Sequence, residues 1–425
     1  MEPILQIALD FVDMHRALRI AEESIEGGAD WIEAGTPLIK SEGMNSVREI
    51  KKNFNKITVA DLKTMDCGRC EVEMAAKSGA DVVVLLAVSD NSTIKEALRA
   101  GKNYGCKIMV DLMNVENMQK RAKELEEIGV DYICVHVGVD QQMRGVDAIT
   151  ELKKISGVVK IPLAIAGGIN SETAPLAVKA GASIVIVGGA LTKAENARDA
   201  AKLIKNSIKT GISVKTELYK KFTDPKDVFK KVSCANISDA MHRTGEMQNI
   251  KPLFPGIKMI GKAITVRTYP GDWAKTVEAI DAAGKGDVIV VDAGGTGPAV
   301  WGELATQSCM QKGISGIVID GATRDTEEIK ELKFPIFSKL ITPTAGEPRG
   351  FGEINVPIKC GGVKVRDGDW ISGDDDGVVV IPKEKAVEVA NRALDVFEKE
   401  NRIREEIKRG STLSKVVKLK KWEKV

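Results

Sequence analysis

GGADWIEAG (residues 27–35) is a small-residue turn followed by a short apolar run. The pattern recurs in SGADVVVLL (78–86), IGVDYICVH (128–136) and AGASIVIVG (180–188). Each copy follows a stretch with the Ala, Leu, Glu and charge content of a helix. Between the copies lie further apolar runs: ILQIAL (4–9), KITVA (56–60), CKIMV (106–110) and IPLAIA (161–166). Runs that are apolar throughout predict strands covered on both faces. Eight such runs alternating with helices predict a (β/α)8 TIM barrel, with an open doubly wound sheet as the rival.

In a barrel, chemistry collects at the C-terminal ends of the strands. The polar residues expected there are Asp10, Glu33, Asp61, Lys63, Asp111 and His136. Taken singly, each reads as a cap or a surface residue; together they predict an acidic mouth around one lysine. Flanking carboxylates would keep Lys63 protonated, suiting it to oxygen binding or proton relay rather than imine chemistry. Glu33 and Asp61 are a plausible pair for a hard cation such as Mg²⁺. His136 could exchange protons near neutral pH. Glycine pairs follow the last two runs, in AIAGGIN (164–170) and IVIVGGA (184–190). Such loops bring backbone amides close to an anion and point to a sugar-phosphate-like ligand.

The remaining composition sets outer limits. A chain of 425 residues predicts two domains. Lys plus Arg (62) nearly balances Asp plus Glu (60), so nucleic acid is not expected as a partner. No apolar run is long enough to cross a bilayer, no membrane partner is expected, and no signal peptide is evident. Seven scattered cysteines predict reduced thiols and a cytoplasmic setting. Cys67 and Cys70 form one CxxC without a second, so structural, redox and metal roles stay open. Cys106 and Cys134 are expected to fill core volume.

DLKTMD (61–66) resembles the Asp-x-Lys-x-x-Asp signature of the orotidine 5'-phosphate decarboxylase superfamily. With IALDF (7–11), IEAGTPLI (32–39), VDLMNVEN (110–117), HVGVDQQ (136–142) and AGGI (166–169), residues 1–210 are most similar to its 3-hexulose-6-phosphate synthase branch. The resemblance implies an aldehyde-lyase: a Mg²⁺-dependent aldol condensation of formaldehyde with D-ribulose 5-phosphate, or its reverse. It implies Glu33 and Asp61 as metal contacts, Lys63 and His136 in oxygen and proton handling, and Asp10 on the sugar hydroxyls. The phosphate is expected near Gly168 and Gly189. Dimeric family members imply that Asp66 reaches a neighbouring site. A 3-keto-L-gulonate-6-phosphate decarboxylase-like barrel is the alternative.

The repeat stops near SIKTGISVKTELYKKFTDPKDVFK (207–230), and residues 211–229 read as a linker. Residues 230–425 are expected to form a compact mixed α/β domain with a helical tail and a loose basic end. Within GPAVWGELATQSCMQKGISGIVIDGATRD (297–325), Arg324 can grip a carboxylate and Asp325 can bind a divalent cation. The bland alternative is an Arg–Asp pair capping a helix. The block resembles the RraA-like family, which implies a swivelling domain and trimers or hexamers. That family includes regulators of ribonuclease activity and class II keto-acid aldolases. The resemblance implies that Gly302, Glu303, Leu304 and Arg324 bind a keto acid, that Asp325 supports Mg²⁺ or Mn²⁺, and that Glu328 is an acidic follower. A non-catalytic regulator of ribonuclease is the alternative. Some members carry a methyltransferase label, but no S-adenosylmethionine fingerprint is present.

Overall fold

A computed structural model describes residues 2–419. The chain divides into two units: residues up to Lys221 together with those from Glu398 onward, and Phe222–Phe397.

The first unit is built on eight parallel strands: β1 (Ile4–Leu9), β2 (Trp31–Ala34), β3 (Ile57–Thr64), β4 (Val82–Leu86), β5 (Lys107–Asp111), β6 (Tyr132–His136), β7 (Leu163–Ala166) and β8 (Ala182–Val187). β8 pairs with β1, Val187 opposite Ile7, so the sheet closes into a barrel and the open-sheet alternative is excluded.

The recurring phrase has a structural reason. Gly28, Gly79, Gly129 and Gly181 hold φ values of 104°, 102°, 95° and 108°, the left-handed region that glycine tolerates. In the first three copies the following aspartate secures the start of the preceding strand. Asp30, Asp81 and Asp131 accept from the backbone N–H of Leu5, Thr58 and Ile108 at 2.7, 2.7 and 2.9 Å. The repeat therefore closes the N-terminal end of the barrel, the end associated with stability rather than chemistry.

Strand alternation sorts the rest. Leu5, Ile7 and Leu9 pack outward with the helices. Ala8, Val59, Val84, Met109, Cys134, Ala166 and Ile186 fill the interior. One further period-two step places Asp10, Asp61, Asp111, His136, Gly168 and Gly188 on the inward face at the C-terminal end. Cys106 and Cys134 are buried, as expected of core fillers. β3 departs from regular pairing between Asp61 and Thr64. Lys63 sits in that bulge with φ 50°, which re-aims a side chain at the strand end.

The second unit centres on parallel strands Met259–Arg267, Val288–Asp292, Gly316–Thr323 and Ile336–Ile341, in that order. Antiparallel Trp370–Asp374 and Gly377–Ile381 extend one side, and Lys251–Pro252 the other. Val266, Ile289, Val291, Ile317 and Ile319 pack on one face; Ala263, Val288, Val290, Val318 and Phe337 pack on the other. Both faces are therefore buried in a mixed α/β domain.

One boundary differs from the sequence reading, which assigns everything after residue 230 to the second domain. Helix Ala386–Lys408 contributes Val389, Ala390 and Ala393 to the second unit's core. From Glu398 onward the chain groups with the barrel instead. Arg402, 1% exposed, donates to the carbonyls of Ala194 and Glu195 at 3.0 Å and to Glu406 at 3.1 Å. Glu406 in turn pairs with Arg16 and Arg19, each at 3.1 Å. A burying charge needs such partners. The helical pattern showed that the tail is a helix but not what it packs against. The linker reading is also revised, since Pro225–Lys231 is a helix and Tyr219 is buried. Residues 420–425 of the expected loose basic end lie outside the described residues. Among the described residues no helix is long and apolar enough to cross a membrane.

Candidate active site

The barrel mouth opens into a cavity of about 320 Å³, lined by Asp10, Glu33, Asp61, Lys63, Asp111 and His136 together. Neighbouring strands explain their meeting. Asp111 lies opposite Cys134 across β5 and β6, so His136 comes alongside, and its Nδ1 stands 2.7 Å from Asp111 Oδ2. Asp111 Oδ1 accepts from the Met113 N–H at 2.9 Å. Lys63 Nζ bonds Asp61 Oδ2 and lies 3.9 Å from Asp111 Oδ2. Thr36 Oγ1 donates toward Asp61 Oδ2 at 2.9 Å, and Gln6 donates to Glu33 from the interior.

These groups set one another's titration. Burial would lower Lys63, but the carboxylates of Asp61 and Asp111 hold the ammonium well above its ordinary range. Burial would likewise depress His136, yet Asp111 outweighs it and the imidazole is raised. Asp111 would rise on burial; His136, Lys63 and the Met113 N–H bring it below the ordinary carboxylate range. Glu33 is pushed well up by burial and by the nearby Asp61 and Asp10. Asp10 is raised by the surrounding protein and by Asp61, although its side chain is open to the cavity.

A divalent cation fits one side of this cavity. Asp61 Oδ1 is buried with no hydrogen-bond partner, and Glu33 is a second buried carboxyl raised by Asp61. Among the described residues no group of three or more His, Cys, Asp or Glu surrounds a metal position. Two carboxylates, with water and substrate oxygens, suffice for Mg²⁺.

Gly168 and Gly189 also line the cavity, at the ends of β7 and β8. Gly168 has φ 73°, and a Cβ on Gly189 would stand 2.1 Å from the Tyr219 ring. Tyr219 and Gln142 also line the cavity, their side chains joined at 3.3 Å. Neither was expected from sequence. Tyr219 shares the linker with Phe222 and Phe229, so its type did not single it out; Gln142 closes the HVGVDQQ stretch, which marked its neighbourhood but not its role.

Asp66 does not join this cavity. Its carboxylate accepts from the Cys67 N–H at 2.7 Å on the surface beyond the bulge. Cys67 and Cys70 are free and exposed beside it.

In the second unit a cavity of about 310 Å³ gathers Gly302, Glu303, Leu304, Arg324 and Asp325. The Glu303 N–H donates to Asp325 Oδ2 at 3.1 Å, and Arg324 Nε is 3.5 Å from the same oxygen. A Cβ on Gly302 would stand 2.4 Å from that oxygen, so glycine permits the approach. Glu328 does not line this cavity.

A closed barrel whose interior chemistry sits in one ring of strand ends defines a class, and comparison with known proteins places it. Residues 3–204 match the orotidine 5'-phosphate decarboxylase / HUMPS family, and residues 234–380 match the RraA-like family (Aldolase/RraA). A 3-hexulose-6-phosphate synthase of Bacillus subtilis is 42% identical over 209 residues, 49% of this chain and 99% of that protein. A protein of the same name from Staphylococcus epidermidis is 38% identical over 206 residues, 48% of this chain and 98% of its own. The crystal structure of a 3-hexulose-6-phosphate synthase from Salmonella typhimurium is 35% identical, covering 49% of this chain and 100% of that one with a TM-score of 0.48. The chain belongs, through its barrel, to the orotidine 5'-phosphate decarboxylase / HUMPS family, and its second unit has the RraA-like fold.

Proposed function

We propose that the barrel is an aldehyde-lyase that joins formaldehyde to D-ribulose 5-phosphate, giving 3-hexulose 6-phosphate, and catalyses the reverse cleavage. The observation that carries this reading is the His136–Asp111 pair facing Lys63 in the barrel mouth. Two relatives of that name, 42% and 38% identical over nearly their whole length, support it.

With the Nδ1 proton directed at Asp111, the His136 Nε2 is the working atom. Neutral Nε2 takes the proton from C1 of the sugar phosphate, and the electron pair passes into an enediolate. Lys63, held as an ammonium, stabilises the developing oxygen charge. C1 then bonds to the formaldehyde carbon, and the His136 proton passes to the former aldehyde oxygen. Proton and electrons balance, so no further reactant is needed. Asp10 orients sugar hydroxyls, and the Gly168 and Gly189 loops receive the phosphate. Glu33 and Asp61 would hold Mg²⁺ or Mn²⁺, which would supply positive charge beside the enediolate oxygens. Lys63→Ala is expected to lower formaldehyde-dependent consumption of ribulose 5-phosphate by about 10²-fold or more. Near wild-type turnover in that variant would sink the reading.

For the second unit we propose a keto-acid lyase site. Arg324 would grip the carboxylate, helped by the amide end of helix Glu303–Lys312, and Asp325 with water would hold the divalent cation. Support comes from the convergence of all five residues on one cavity. Asp325→Ala is expected to abolish cation-dependent pyruvate release from a 4-hydroxy-2-oxo acid while leaving the barrel reaction intact. Pyruvate release unchanged by the substitution would remove this proposal.

A further inference from the structure

The proposed barrel reaction leaves Cys67 and Cys70 without a role. Cys106, Cys134, Cys234, Cys309 and Cys360 are buried, whereas Cys67 and Cys70 are exposed and free, so this pair fills no core volume. A structural zinc takes four ligands. Among the described residues no group of three or more His, Cys, Asp or Glu gathers at a metal position. Thiol chemistry between the two cysteines is the role that fits.

The turn holds them together. Cys67 caps helix Gly68–Lys77 at φ 59°, a left-handed conformation, and Cys70 lies in the first turn. The Glu71 N–H donates to the Cys67 carbonyl at 3.1 Å, which closes that turn. Side chains three residues apart on a helix have Cβ atoms about 5–6 Å apart, whereas a disulfide needs roughly 3.5–4.5 Å. A hydrogen bond with Cys70 is the main cause that pushes the Cys67 thiol up, so the sulfurs lie within hydrogen-bonding reach. A Cβ on Gly68 would stand 2.3 Å from the Thr93 carbonyl oxygen, so the start of the helix is seated against helix Asn91–Tyr104. Joining the sulfurs must therefore move Cys67 rather than the helix.

Cys67 follows closely on Lys63, and the segment between them is bonded at both ends. Thr64, next to Lys63, donates through its hydroxyl to Glu71, next to Cys70. The Cys67 N–H donates to Asp66 at 2.7 Å. Lys63 itself occupies the β3 bulge at φ 50° and bonds Asp61. A shift of Cys67 pulls on the segment that aims the Lys63 ammonium.

We propose that Cys67 and Cys70 are a modification site: small-molecule disulfides oxidise them to a reversible intrachain disulfide, and closing it draws Lys63 from its working position. One protein thiolate attacks a sulfur of the small disulfide and releases a first small thiol. The other then attacks the mixed disulfide and releases a second. The protein sulfurs give up two electrons and two protons, which leave in the two small thiols; a reducing dithiol runs the exchange backward. The effect on turnover rests on the synthase reading of the barrel, whereas the bond and the movement do not.

The test treats the full-length protein with oxidised glutathione and then with dithiothreitol. Thiol titration of the folded chain is expected to lose both exposed thiols and regain them, with no glutathione mass retained. Oxidised wild type should lose about tenfold or more in kcat for formaldehyde-dependent consumption of ribulose 5-phosphate, since small misplacements of a positioned group are costly. Amide hydrogen exchange across residues 61–71 should change on oxidation. C67S/C70S should keep its kcat and show none of these changes. Glutathione retained on the cysteines, a disulfide-bridged dimer on a non-reducing gel, or unchanged exchange across residues 61–71 overturns the proposal. So does full kcat in a chain whose intrachain bond has formed. If the bond forms and the exchange changes, but neither redox form makes 3-hexulose 6-phosphate, the modification site stands and the synthase reading falls.

Discussion

The two candidate cavities are similar in size, about 320 and 310 Å³, but differ in how they hold charge. In the barrel, Asp61, Asp111 and Glu33 are 5%, 2% and 6% exposed, and the lysine and histidine between them touch carboxylates. In the second unit the Arg324 and Asp325 side chains are 43% and 34% exposed, and Leu304 is 78% exposed. Buried, mutually coupled charges suit proton transfer, because each sets its neighbour's protonation. Water-reached charges at a helix end suit gripping a small anion. The difference fits the proposed acid–base role of the barrel site and the proposed anion grip of the second.

This contrast can be tested by the size of the loss. His136→Gln should lower kcat of the barrel reaction by about 10²–10⁴-fold. It should leave keto-acid cleavage untouched, and parallel losses in both activities would break the separation. Asp111→Asn should lower kcat less severely, with an additional signature in the pH profile. Asp111 raises His136, and the imidazole must be neutral to take the C1 proton. Turnover therefore falls as pH drops through that raised value. Removing the carboxylate should move the acidic limb toward lower pH, and a limb that stays put would assign the titration to another group. The smallest effect is expected in the second unit. Arg324→Lys keeps the charge but loses the planar fork, so KM for a keto acid should rise by about tenfold. An unchanged KM would favour the helix-capping role of the Arg–Asp pair.

Much of the barrel could be read from its repeat. The GAD phrase marks a left-handed glycine and a strand-fastening aspartate, and both are local properties of the chain. The inward face follows from period-two alternation counted from Ala8, Met109 and Cys134. Closure was less accessible, because eight strands alternating with helices also fit an open sheet. The partners within the ring were less accessible still. That His136 meets Asp111 depends on the register of β5 against β6, which no single stretch encodes. Lys63 enters the cavity from a bulge at positive φ, a conformation its residue type does not signal. Tyr219 and Arg402 were missed for one reason: each is placed by a partner far away in the chain, Glu398 for one and Glu23 with the 194–195 carbonyls for the other.

The most direct measurement is carbon NMR of the full-length protein given ¹³C-formaldehyde and D-ribulose 5-phosphate with Mg²⁺. Attack of C1 on formaldehyde predicts label in the terminal hydroxymethyl carbon of 3-hexulose 6-phosphate, and loss of that signal in Lys63→Ala. Label that remains in formaldehyde with the wild-type chain, or the same labelled product formed at full rate by Lys63→Ala, would contradict the account.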